Sequence, residues 1–208
     1  QMGANHSFNG TTSNCGGVNR NAATAYEPGS GSTVMAYAGL CGAENLQPHT
    51  DATFHAGSID EINAYVASVG SCYTASATGN SAPTAVAGSA YVIPRQTPFV
   101  LTGSALDSDG NTLSYQWDEM DAGAETDAST IGTDLGDNAL CRSFLPKDVA
   151  YRNFPRLADQ LSGVADFGET LPTTARTLNF RLTARDGHYG VGEDNVQVTV
   201  DSGSGPFK

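Results

Sequence analysis

Beyond position 83 apolar residues recur at every second place, and that alternation restricts the chain more than any other feature. Phe99-Val100-Leu101, Leu113/Tyr115/Trp117, Leu178/Phe180/Leu182 and Val196/Val198/Val200 each carry it. A two-residue period puts such side chains on one face of a strand, and no helical period competes with it. Asp109-Gly110 and Asp186-Gly187 supply turns between the candidates. Residues 84–202 are therefore expected to form an all-β sandwich of antiparallel strands. Tyr115 and Trp117 share one parity and Gln116 the other, so both aromatics are expected to face inward. Residues 145–174 hold prolines and little alternation, and read as an ordered excursion from one edge.

The first 57 residues are punctuated by turn signals at Asn9-Gly10, Cys15-Gly16-Gly17, Glu27-Pro28-Gly29 and Gln47-Pro48. One helix is expected over residues 58–69. Ser58 and Glu61 have capping-box spacing, and Asp60 adds negative charge to the first turn. Ile59, Ile62, Val66 and Val69 share a face, and Gly70 ends it. The organisation expected is a subdomain over 1–70, irregular but for that helix, a small-residue linker over 71–83, the β-unit over 84–202 and a tail over 203–208.

Net charge decides against one class of partner. With 10 Lys and Arg against 22 Asp and Glu the chain carries −12, and phosphate backbones need clustered cations. No nucleic-acid partner is expected. No apolar run is long enough to span a membrane, and no basic-then-apolar leader is visible, so any signal peptide is expected upstream of Gln1 or already removed. Four cysteines, none in a CxxC pair, in a chain rich in glycine and poor in lysine suit an oxidising, extracellular setting. Cys15 and Cys41 bracket one glycine-rich segment and are paired on that ground. Cys72 with Cys141 follows by elimination, and either is equally open to a cysteine upstream.

The N-terminal residues carry chemistry. Gly3 and His6 have the spacing of the second half of H-E-x-x-H-x-x-G-x-x-H, in which histidines bind zinc and the glutamate activates water. Ser32-Thr33-Val34-Met35-Ala36-Tyr37 lies 29 residues after His6 and resembles the Met-turn of the metzincin peptidases. Four stretches (2–7, 19–29, 33–39 and 54–61) together resemble bacterial reprolysin-like metallopeptidases. That resemblance implies that His6 is the third zinc ligand and Met35 the methionine beneath the metal. It implies for Tyr37 a part in binding zinc or steadying the oxyanion. Reprolysins usually have aspartate after the third histidine and proline at the tyrosine position; here those places hold Ser7 and Tyr37. The sequence contains no H-E-x-x-H, so two ligands and the general base are expected before Gln1, and these residues alone are expected to be inactive. His49 and His55 are read as surface or capping residues in preference to cleft residues.

The β-unit has its own signature in Asn80-Ser81-Ala82-Pro83, Asp107-Ser108-Asp109-Gly110-Asn111 followed by Tyr115-Gln116-Trp117, and Arg185-Asp186-Gly187. It resembles the polycystic-kidney-disease-type and cadherin-like immunoglobulin-fold modules of secreted bacterial enzymes. Asp107, Asp109 and Asn111 present oxygens at alternating positions that suit Ca²⁺, and the resemblance adds Asn80, Ser81 or Asp186. The same residues also make tight turns with Asx hydrogen bonds and no ion. Two functions follow. One is a secreted zinc endopeptidase acting on protein or peptide substrates. The other is a calcium-binding β-sandwich that stabilises the protein or attaches it to an extracellular polymer or surface.

Overall fold

The computed structural model describes residues 2–70, 73–164 and 166–207. The chain is mainly β. Among the described residues the strands are β1 (Thr84–Val86), β2 (Tyr91–Pro94), β3 (Phe99–Thr102), β4 (Ser104–Leu106), β5 (Ser114–Glu119), β6 (Tyr151–Phe154), β7 (Thr177–Arg185) and β8 (Val191–Asp201). The helices are α1 (Ala56–Val69) and α2 (Leu157–Ser162). Among the described residues no helix is long and apolar enough to cross a membrane.

One sheet has the order β2-β8-β7-β5, and β1–β4 and β3–β6 form two-stranded pairs. The β7–β8 and β5–β7 pairs are antiparallel. β2 runs parallel to β8, which departs from the all-antiparallel expectation. Parallel neighbours need no hairpin, and β2 precedes β8 by almost a hundred residues. Pro94 ends β2 at the sheet edge, where a missing N–H costs no ladder bond.

The alternating residues fill one core. Phe99, Leu101 and Phe154 from the β3–β6 pair pack with Trp117, Leu178, Phe180, Leu182, Val196, Val198 and Val200 from the larger sheet. The Phe99 and Phe154 rings stack at 4.9 Å, and Phe154 meets Phe180 at 4.8 Å. Trp117 faces this core and donates Nε1–H to Ala150 O at 3.1 Å, while Tyr115 packs at its margin.

Gln116 corrects the simple alternation. Its face of β5 is buried as well, because the segment entering α1 lies on it. Thr53 Oγ1 donates to Gln116 Oε1 at 2.7 Å, and Gln116 Nε2 donates to Phe54 O at 3.2 Å. Further bonds tie residues 1–70 to the strands. Arg20 Nη2 donates to Gly123 O at 2.9 Å, Asn9 Nδ2 to Ala124 O at 3.0 Å, and Arg181 pairs with Asp60.

The helix start also differs from expectation. α1 begins at Ala56 with His55 as its N-cap, and Ser58 and Glu61 do not form the cap. His55 Nδ1 accepts from Gly57 N at 3.0 Å, so Nε2 carries the proton and donates to Glu119 O, also at 3.0 Å. That second bond pins the imidazole at the cap and leaves Ser58 inside the first turn. Glu61 is turned instead to Asn5, accepting its backbone N–H at 2.9 Å.

Candidate functional site

Gly3 opens the site. Its φ is +82°, and a Cβ there would lie 2.5 Å from the Tyr65 side chain on α1. Only glycine satisfies both demands, and the chain turns there to bring His6 over Tyr37. His6 Nδ1 lies 2.6 Å from Asn19 O. A carbonyl can only accept, so Nδ1 bears the proton and the lone pair stays on Nε2. The imidazole packs on Tyr37 at 4.5 Å between ring centroids and on Phe8 at 5.4 Å. It lines a cleft of about 430 Å³ with Val18, Asn19, Arg20, Asn21 and Ala22.

The Met35 turn lies directly behind. Ser7 N donates to Met35 O at 3.3 Å, and Tyr37 N to Ser30 O at 2.9 Å. Met35 itself is half-buried. Cys15 and Cys41 form the expected disulfide, with Cα atoms 5.2 Å apart, and join Phe8 and Ala36 in a small core against Tyr37. The structure thus brings His6, Met35 and Tyr37 together.

Two carboxylates that the sequence did not single out organise this region. Glu27 is fully buried and accepts from Ser7 Oγ (2.7 Å), Ser32 N (2.7 Å), Thr33 N (3.2 Å) and Thr33 Oγ1. Glu44, also fully buried, accepts from Thr11 N at 2.9 Å and from Thr12 N. The available signal was the pair of donors Ser32 and Thr33 within six residues of Glu27, which gives a buried acid something to accept from.

His49 is exposed and His55 is the helix cap, so neither adds a donor beside His6. Among the described residues no three His, Cys, Asp or Glu side chains converge as a metal site. His6 fits a zinc centre as one imidazole donor of the three that catalytic zinc needs.

The β-unit's candidate residues also come together. Asn80 Nδ2 donates to Asp186 Oδ2 at 2.7 Å, and Asn111 Nδ2 donates to Asn80 Oδ1 at 3.1 Å. Asp107 Oδ1 accepts from Asp109 N (2.9 Å) and Asn111 N (3.1 Å), and Ser81 N donates to Asp109 Oδ2 at 2.6 Å. Asp186 Oδ1 takes the N–H groups of His188 and Gly190. The Asn80 amide, with these two N–H groups, holds the Asp186 carboxyl below the usual carboxylate range. Asp107 Oδ2 is buried with no partner.

The Cys72–Cys141 pairing lies outside the described residues, because Cys72 does. Cys141 is buried, and burial pushes its thiol far above the ordinary cysteine value. A second groove of about 410 Å³ is lined by Lys147, Arg152 and Arg156 beside Phe144 and Tyr151. Arg152 and Arg156 are engaged by Glu169, Asp159 and Asp166, and the groove reads as a structural seam.

No protein-family model matches the chain, and no curated protein matches it.

Proposed function

We propose that residues 2–70 form the third-histidine and Met-turn half of a zinc endopeptidase site of metzincin type. The parent protein is secreted and acts on peptide bonds. The observation that carries this is the His6 imidazole, proton-locked at Nδ1 by Asn19 O and offering Nε2 to the cleft. Metal-binding histidines are oriented in this way, by a carbonyl that takes the other ring N–H. The Ser7–Met35 bond and the Tyr37 ring supply the floor beneath it.

Bound zinc would polarise a peptide carbonyl and activate water. The chain's own residues do the rest: Asn19 orients His6, and Tyr37 supports its ring and is the candidate for steadying charge on the carbonyl oxygen. The remaining ligands and the general base require H-E-x-x-H, which these residues do not contain. The test is the coding sequence upstream of Gln1, followed by zinc stoichiometry of the longer protein. The expected result is H-E-x-x-H and one zinc per chain, with peptidase activity abolished by His6→Ala. Any other sequence there overturns the assignment, as does zinc-dependent proteolysis by these 208 residues alone.

Residues 84–202 we read as an immunoglobulin-like β-sandwich of the polycystic-kidney-disease or cadherin type, stabilising the protein or attaching it to an extracellular polymer. A calcium role is favoured by one observation, Asp107 Oδ2, buried and without a partner among the described residues, beside the hydrogen-bonded chain Asn111–Asn80–Asp186. Melting in Ca²⁺ and in EDTA tests it; coincident midpoints leave the cluster as a network of turns.

A further inference from the structure

We propose, on the reading of His6 as a zinc ligand, that Glu27 is the positioning residue of that site. Its carboxylate ties the segment bearing His6 to the Met35 turn, and so fixes the imidazole against Tyr37.

Glu27 takes part in none of the ion pairs among the described residues. A buried carboxylate without a counter-charge is costly unless its lone pairs accept hydrogen bonds. Here they do, and the donors come from both sides of the site. Oε1 takes the hydroxyls of Ser7, next to His6, and Thr33, two residues before Met35. Oε2 takes the backbone N–H groups of Ser32 and Thr33, with Ser32 Oγ at 3.3 Å. The Glu27 backbone joins the same segment through an isolated bridge, donating to Ser7 O and accepting from Asn9 N, each at 2.8 Å. The residue therefore holds the His6 segment by its main chain and the turn by its side chain.

The charge state matters for a stereochemical reason. The two backbone donors on Oε2 cannot reverse, so an amide would have to turn its NH₂ toward the Ser7 and Thr33 hydroxyls. Both hydroxyls would then have to turn and accept. Glu27→Gln keeps the size and loses this fit, releasing Ser7 and the ring beside it.

The test uses the 208-residue chain and NMR of the His6 ring protons, whose shifts report stacking on Tyr37 and Phe8. In Glu27→Gln these signals should move toward those of an exposed histidine, while the Trp117 indole signal and the β8 amides stay in place. Unmoved His6 signals in folded Glu27→Gln overturn the proposal. If Glu27→Gln does not fold, Thr33→Val removes one donor to the carboxylate and should displace His6 in the same sense; no displacement there is equally fatal. Zinc binding by the longer protein separates the two ideas. A longer protein that takes up no zinc, with the ring still displaced by Glu27→Gln, removes the zinc reading and keeps the positioning. A longer protein that holds zinc while Glu27→Gln leaves the ring in place does the reverse.

Discussion

Asp118 Oδ2 accepts the backbone N–H of Ala56 across 3.1 Å, so a strand supplies a first-turn acceptor to a helix 62 residues earlier in the chain. The same carboxylate takes Ser143 Oγ at 2.6 Å and Gln116 Nε2 at 2.8 Å. Asp118→Ala strands Ala56 N and Ser143 Oγ, while Gln116 Nε2 keeps Phe54 O, and a buried group without a partner costs about 1–3 kcal/mol. The variant should lower the urea midpoint by an amount corresponding to at least ~2 kcal/mol. It should also speed amide exchange at Ala56 and Gly57. An unchanged midpoint would mean that water replaces the carboxylate and that β5 does not hold the helix.

This contact also marks the limit of what the sequence disclosed. Period-two alternation located β3, β5, β7 and β8 and the inward course of Trp117, because those side chains answer to one core. It placed Gln116 on the opposite face of β5 and went no further, since alternation carries no record of a remote segment covering that face. Capping was one of the roles expected of His55, but the bond that pins it reaches Glu119 O, 64 residues away, and Ser58-x-x-Glu61 offered a local alternative for the helix start. His6, Met35 and Tyr37 were singled out by the resemblance of their two segments to a peptidase motif, and the backbone places those segments side by side. Glu27 was not, for a lone acid in a turn-rich stretch looks solvated until its donors are placed.

Loss of the Cys15–Cys41 disulfide should be felt at His6. The bond closes a loop of 26 residues, and in the chain-entropy account such a closure is worth about 3 kcal/mol. Its sulfurs pack with Phe8 and Ala36, against the ring of Tyr37. The paired Cys15→Ala, Cys41→Ala variant should lower the denaturant midpoint accordingly and move the His6 ring signals. A variant as stable as the parent would mean that the packed cluster alone fixes this loop.

Gly190 sets a strict steric test of the Asp186 network. A Cβ at Gly190 would lie 2.0 Å from Asp186 Oδ2 and 2.9 Å from Asn80 Nδ2. Gly190→Ala must displace the carboxylate that holds Asn80, His188 and its own backbone N–H. A lower thermal midpoint is expected, together with loss of any Ca²⁺-dependent rise in melting. If Gly190→Ala melts like the parent, the loop after β7 has room that this structure does not show.

Glu119 makes the stability of the β-core depend on pH in an unusual direction. It is fully buried, and its Oε2 accepts from Leu140 N at 2.9 Å and Cys141 N at 2.6 Å. Burial above all, with the neighbouring Asp121 charge, raises its carboxyl from 4.5 to about 8, while Arg176 and the two N–H donors oppose the rise. Between those values the folded state keeps a proton that the unfolded chain has lost. Stability from this group is therefore complete below 4.5 and drains away as pH rises toward 8, by about 1.4 kcal/mol per pH unit at the steepest. Asp134 acts with the opposite sign. Burial would raise its carboxyl, but the N–H groups of Thr174, Gly136 and Thr173 hold it down to about 2, and its contribution is lost as pH falls from 3.8 through that value. Unfolding free energies measured from pH 3 to 9 should separate the two. Glu119→Gln retains an oxygen for Leu140 and Cys141 and has no proton to lose, so it should flatten the alkaline limb and exceed the parent in stability above pH 8. An alkaline slope that survives Glu119→Gln would assign the titration to another group.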